Sequence, residues 1–345
     1  MEVLARPAAL LRYQEALDAF LRDVVGPGDP PLLYHMMGYH LGWEKAKGRP
    51  TTAGGGKALR PTMCLLACEA VGGDWRQALP AAGALELVHN FSLIHDDIQD
   101  HDRERRHRPT VWVLWGQGQA INAGDGMLAL AHLALLRLAE TSVPAPKVMA
   151  ASKALDAATL EMIGGQCLDL SFEKRLEVAL DAYLEMIAKK TGALFGCALE
   201  LGALAGCDDA QAVAAFARCG RLLGLSFQAR DDMLGIWGAE AGTGKPVGAD
   251  IRRKKKSLPI VYALTQAQGA TRDLLFSLYG KHYLDEADVE AVLRTLDELG
   301  AAPFCRQMAM AKKEEALAQL APLGLKSEAA AELKQVAEFL LERDF

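Results

Sequence analysis

In the stretch LIHDDIQDHDRERRHRPT, running from Leu93 to Thr110, an apolar segment ends in a knot of acid, and an Arg pair begins nine positions after Asp96. Asp96 and Asp100 are four apart, so on a helix both carboxylates leave the same face, with Asp97 roughly a hundred degrees round. Like charges at that spacing destabilise an isolated helix by a few tenths of a kcal/mol, so a cation is the natural compensator. Mg²⁺ suits the task, because it prefers oxygen ligands and commonly combines a few carboxylates with substrate phosphates. A solvated helix end would also carry such residues. Here, however, the acids follow the apolar run LELVHNFSLI and emerge at the mouth of a core helix.

A second acidic pair, Asp231 and Asp232 in LSFQARDDMLGIWG, also follows an apolar helical run, 135 residues further on. Two such patches on separate core helices can face each other across a cavity and make a multi-metal site for a diphosphate. The basic groups fit that anion. GGGKALRP brings Lys57 and Arg60, Arg105 and Arg106 follow the first acids, and AKKTG offers Lys190 and Thr191. GTGKPVGADIRRKKKSLP adds Lys245 and the run from Arg252 to Lys256, either a solvated charge run or the cap of the site. Glycine beside lysine lets backbone N–H groups approach an anion, and Arg grips phosphate oxygens in bidentate fashion.

These residues need elements to hold them, and the composition says which. Of the 345 residues 51% are hydrophobic and 24% charged, enough to build a substantial core. Ala and Leu dominate while aromatics are only 6%, which favours helix almost everywhere. The spacing predicts helices over about 8–25, 30–48, 60–72, 77–100, 119–140, 145–171 and 177–206. Others follow over about 209–238, 256–268, 270–279, 285–299, 301–321 and 326–343. No segment shows the period-2 alternation of a strand, and no linker stands out, so residues 1–345 read as one all-α bundle.

The net charge of −6 argues against a nucleic-acid surface, which is usually basic. Seven cysteines without C-x-x-C spacing or His pairing read as reduced, buried thiols of a cytoplasmic protein. The amino terminus lacks a signal-peptide layout, and no run of about 18 apolar residues predicts a membrane span.

Together GGGKALRP, LIHDDIQD with RRHRPT, AKKTG, LSFQARDDMLG and GTGKPVGAD…KKKSLP resemble the trans-isoprenyl diphosphate synthases, the polyprenyl synthetase family. They stand in that family's order over roughly residues 50–265. The resemblance implies helices around a deep central cavity, a homodimer, and condensation of isopentenyl diphosphate with an allylic diphosphate, using three Mg²⁺ ions per site. On this resemblance Asp96, Asp100 and Asp231 would bind metal, with Asp97 and Asp232 in support. Arg105, Lys190, Lys245 and Lys256 would hold the allylic diphosphate, Lys256 being interchangeable at this stage with Lys254 or Lys255. Lys57, Arg60, His89 and Arg106 would hold isopentenyl diphosphate, while Thr191 and Gln228 would stabilise the allylic cation. Without the resemblance, His89 would read as an ordinary core histidine.

One departure stands out: the family's second acidic motif usually reads DDxxD, and here Gly235 occupies the third acidic place. Product length in the family is gated just before the first motif. Phe91 and Ser92, five and four residues ahead of Asp96, resemble the geranylgeranyl type, with Phe91 as the floor. Two other readings use the same residues, a terpene cyclase and a non-catalytic partner of an active synthase. The second cationic group of Lys57, Arg60 and Arg106 speaks against the cyclase, and the intact first motif against the partner.

Overall fold

Helix follows helix in the computed structural model, which describes residues 7–49, 51, 58–238 and 246–342. The first stretch holds α1 (Ala9–Arg12), α2 (Gln14–Val25), α3 (Pro31–His40), α4 (Leu59–Ala70) and α5 (Trp75–Gln99). A small hairpin, β1 (Glu104–Arg105) against β2 (Arg108–Pro109), leads into α6 (Val111–Trp115), α7 (Gln117–Leu136) and α8 (Ala145–Glu173). Next come α9 (Leu180–Ile187), a single wide π-type turn at Ala188–Gly192, α10 (Ala193–Gly206) and α11 (Ala210–Trp237). The chain then forms α12 (Ala249–Arg252), α13 (Leu258–Gln266), α14 (Gly269–Gly280), α15 (Glu286–Glu298), α16 (Ala301–Leu320) and α17 (Glu328–Glu342).

The centre belongs to α5, α10 and α11, because their sequences are apolar on nearly every face. Asp74 starts α5 by accepting the Arg76 N–H at 3.0 Å, and Asp209 starts α11 by accepting from Gln211 and Ala212. α5 packs on α4, α7 and α10, while α11 packs on α10 and α16. Ala78, Ala81, Ala82 and Ala84 keep α5 slim enough for that crowding, and Leu85 and Leu87 fill the gaps. Each fully buried leucine contributes about 1.5–3 kcal/mol. A smaller apolar cluster gathers Ile251, Ile260, Leu275, Val292 and Leu296 around α13–α15. Among the described residues no helix is long and apolar enough to cross a membrane.

Three differences from the sequence expectation bear on the site. The helix expected over 30–48 stops at His40, because Gly42 takes a left-handed φ of 84° and the Trp43 N–H closes the turn by donating to Gly38 O at 3.0 Å. Strand pairing does occur, at β1–β2, in two-residue pieces too short to show any period. The helix expected over 177–206 begins at Leu180 and is interrupted by the wide turn that carries Lys190 and Thr191.

Candidate active site

Asp96, Asp97 and Asp100 fall in and just beyond the last turn of α5, where the carbonyl end of a helix already bears partial negative charge. The half-buried Asp96 carboxyl is pushed up to about 6 by burial, with Asp100 adding to the effect and Lys190 opposing it. A cation is therefore worth more here than on an open helix. Asp97 points elsewhere: it is 1% exposed and accepts from Arg105 Nε at 2.8 Å and Nη2 at 2.7 Å. That pair pins the β-hairpin to α5.

The hairpin turn is strained, since Arg106 and His107 adopt φ of 53° and 59°. Left-handed backbone costs a non-glycine residue about 1–2 kcal/mol, and several contacts compensate. Arg108 donates to Glu44 O at 2.7 Å and lies 4.1 Å from the Tyr39 ring centre. The Thr110 hydroxyl and the Trp112 indole both donate to Asp102 O, at 2.9 and 2.8 Å.

On the opposite wall, α11 splits its acids in the same way. Asp231 is exposed and lines the cavity, whereas Asp232 is 2% exposed and serves the protein. Asp232 accepts from the Tyr183 hydroxyl, from Gln228 Nε2 at 2.9 Å and from Leu258 N at 2.7 Å, which ties α9, α11 and α13 together. Burial pushes its carboxyl up to about 6, against these hydrogen bonds and Lys255. Gln228 in turn accepts the Thr191 hydroxyl proton at 2.7 Å, so a polar chain runs from Tyr183 to the wide turn.

The wide turn aims Lys190 at Asp169 of α8, 2.6 Å away. It lies so close to α8 that a Cβ at Gly165 would be 2.2 Å from the Lys190 backbone nitrogen, so position 165 accepts only glycine. Asp169 was missed by the sequence reading; its signal is a lone acid among the apolar residues of QCLDLSF. Burial works against its charge, yet Lys190 and Lys255 hold its carboxyl below the usual range.

Lys255, not Lys256, joins this group. Burial opposes its charge, but Asp250, Asp232, Asp169 and Asp231 keep the ammonium protonated. Lys256 turns away, 4.9 Å from the Tyr279 ring centre and within 3.3 Å of Lys254 O, and burial pushes it down to about 8.

Arg60 and His89 line the same cavity, with the Arg60 guanidinium 4.8 Å from the Phe195 ring centre. Burial, then the charges of Arg60, Arg106 and Arg105, hold His89 neutral, so it can donate to an anion without adding charge. A buried carboxylate, Glu86, lies within the field of Arg60 and Arg106 and takes an amide hydrogen bond from Asn90 at 3.0 Å. Lys57 and Lys245 lie outside the described residues.

The cavity holds about 430 Å³ and brings together Asp96, Lys190, Thr191, Gln228, Asp231, Arg60 and His89. Its apolar lining includes Phe91, Leu128, Met162 and Ile163, with Ser92 beside Phe91. Phe91 lies about 7.5 Å before Asp96 along the helix axis and meets His95 edge-on at 5.6 Å. All seven cysteines are free thiols, but against the expectation of burial Cys167 is exposed at this cavity and Cys207 is only half-buried. Among the described residues no three carboxylate, imidazole or thiolate groups converge tightly enough to hold an ion by themselves. Oxygen donors spread over two walls instead suit Mg²⁺, which completes its shell with water and phosphate oxygens.

The family model for polyprenyl synthetase matches residues 46–296. A (2E,6E)-farnesyl diphosphate synthase of Mycobacterium tuberculosis is 40% identical over 332 residues, covering 95% of this chain and 91% of its own. A geranylgeranyl diphosphate synthase of the same organism is 40% identical over 285 residues, covering 83% and 80%. The crystal structure of a polyprenyl synthetase from Streptomyces coelicolor superimposes with a TM-score of 0.89 at 37% identity, over 96% of this chain and 98% of that one.

Proposed function

The chain belongs to the polyprenyl synthetase family and is a short-chain prenyl diphosphate synthase, and we propose that it condenses isopentenyl diphosphate with allylic diphosphates to give geranylgeranyl diphosphate. The observation that carries this reading is the meeting of Asp96 and Asp231, from two separate helices, in one cavity whose lining continues into apolar residues. Polar walls suit the diphosphates and the apolar lining suits the growing tail.

In the proposed reaction the allylic carbon–oxygen bond breaks and negative charge collects on the departing diphosphate. Mg²⁺ held by Asp96, Asp100 and Asp231 would supply Lewis-acid stabilisation of that charge. Asp169, brought into the group through Lys190, is a further oxygen donor of the right kind. Lys190, Lys255 and Arg105 would grip the same diphosphate, with Lys245 as a fourth cation. Arg60, Arg106, the neutral His89 and Lys57 would hold isopentenyl diphosphate, which must stay intact. Thr191 and Gln228, linked by the hydroxyl proton that Thr191 gives to Gln228, would offer their remaining oxygen lone pairs to the allylic cation until the double bond of the second substrate attacks it. The released diphosphate then takes the proton. Incubation with isopentenyl diphosphate, each allylic diphosphate and Mg²⁺, with mass spectrometry of the products, tests this. A twenty-carbon diphosphate supports it, whereas a cyclic hydrocarbon or no turnover removes it.

The working form is proposed to be a homodimer. Leu133 and Leu136 of α7 and Met149 and Leu160 of α8 are 60%, 52%, 75% and 72% exposed, large apolar side chains that a second copy of the chain would cover. Sedimentation should show twice the chain mass for the native protein. Leu133→Glu with Leu160→Glu should shift it to monomer, and a monomeric native protein contradicts the assignment.

A further inference from the structure

Gly235 stands one helical turn after Asp231 on α11, where the second acidic motif departs from its usual pattern. A Cβ at this glycine would lie 2.3 Å from Asp250 Oδ2 and 2.6 Å from its Cγ. The Asp250 carboxylate therefore occupies the very space in which a side chain at 235 would begin. The contact is anchored on both sides. Gly248 N–H donates to Ile236 O at 2.9 Å, which fastens the start of α12 to the end of α11, and Ile251 beside Asp250 is fully buried. Downstream, Lys255 N–H donates to Asp250 O at 2.9 Å, and the chain turns back through Lys254 with φ 55°. The short α12 and the bend after it thus deliver Asp250 to α11 and return Lys255 to the carboxylates.

We infer that Asp250 is a positioning residue that supplies the second acidic wall with the carboxylate that position 235 does not carry, and so holds Lys255 toward the diphosphate. Asp250 stands first among the carboxylates that keep Lys255 charged, ahead of Asp232, Asp169 and Asp231. A wall built this way needs glycine at 235, since any side chain there displaces Asp250. α12 and α11 then act as one unit, and the carboxylate can be moved from one to the other.

This inference rests on the metal–diphosphate reading of the cavity, and the experiment separates the two. Binding of Mg²⁺ with inorganic pyrophosphate would be measured by calorimetry for the wild type, Asp231→Ala, Asp250→Ala, Asp250→Asn, Gly235→Ala and the double variant Gly235→Asp/Asp250→Ala. The single Asp250 and Gly235 variants should each bind about 10–100-fold more weakly, the range usual for outer-shell groups of a metal site. Their KM for the allylic diphosphate should rise, while KM for isopentenyl diphosphate stays within about twofold. The double variant, with its carboxylate moved to α11, should recover most of the lost affinity. Wild-type binding by Asp250→Ala and Asp250→Asn overturns the inference, and so does a double variant no better than Asp250→Ala. If Asp231→Ala alone loses binding, the metal–diphosphate reading survives and only this inference falls. If the wild type itself fails to bind, both fall together.

Discussion

Asp231→Asn lowers kcat by about a hundred- to a thousandfold, the equivalent of about 2.7–4 kcal/mol of lost transition-state stabilisation, the range for removing one preorganised electrostatic partner. The substitution keeps the side chain's size and removes only its charge. Asp231 is exposed toward the cavity, so the folded state loses little. Thermal melting should therefore stay close to wild type while single-turnover product formation collapses. Asp232→Asn provides the contrast: that carboxylate is 2% exposed and receives three hydrogen bonds, so its loss should lower Tm as well. Breaking a buried network of this kind costs about 3–5 kcal/mol. An Asp231→Asn enzyme within fivefold of wild-type kcat would show that the second wall has no part in ionisation.

Phe91→Ala lengthens the product by at least one five-carbon unit. The ring is 4% exposed, lines the cavity and packs edge-on against His95, so its removal opens space in line with the first acidic wall. Truncating a phenylalanine in a closed core costs about 3–5 kcal/mol. Here one side of the ring already borders the cavity, so the loss should sit at or below the lower end. Mass spectrometry of the products should show a shift to twenty-five carbons or more. An unchanged product spectrum would move the floor to another wall residue, with Met162 and Ile163 of α8 the next groups along the lining.

What could be read in the sequence followed from repetition and contrast. The central helices α5 and α11 are apolar on most faces, and acid at the end of such a run is conspicuous, so Asp96 and Asp231 could be found by inspection. Their companions were harder. Asp169 is an unpaired acid in sequence, one of four scattered along α8, and becomes visible only when the wide turn brings Lys190 to it. Three consecutive lysines cannot be told apart by counting, because the left-handed backbone of Lys254 decides which one faces the carboxylates. The β-hairpin escaped because two-residue strands have no period, and the π turn because AKKTG reads as ordinary helix. Nor could the Asp250–Gly235 contact be read, since it joins α12 to α11 across fifteen positions of chain.

The wide turn at Ala188–Gly192 has a mechanical consequence. Lys190 and Thr191 are neighbours on it, one bound to Asp169 and the other to Gln228, so a displacement of this backbone turn moves both attachment points together. If, on the proposed reading, a shift of this turn carries Lys190 from Asp169 to an arriving anion, the Thr191 hydroxyl shifts with it. On that reading, departure of the leaving group and shelter of the fragment left behind would be geared together by one loop of backbone.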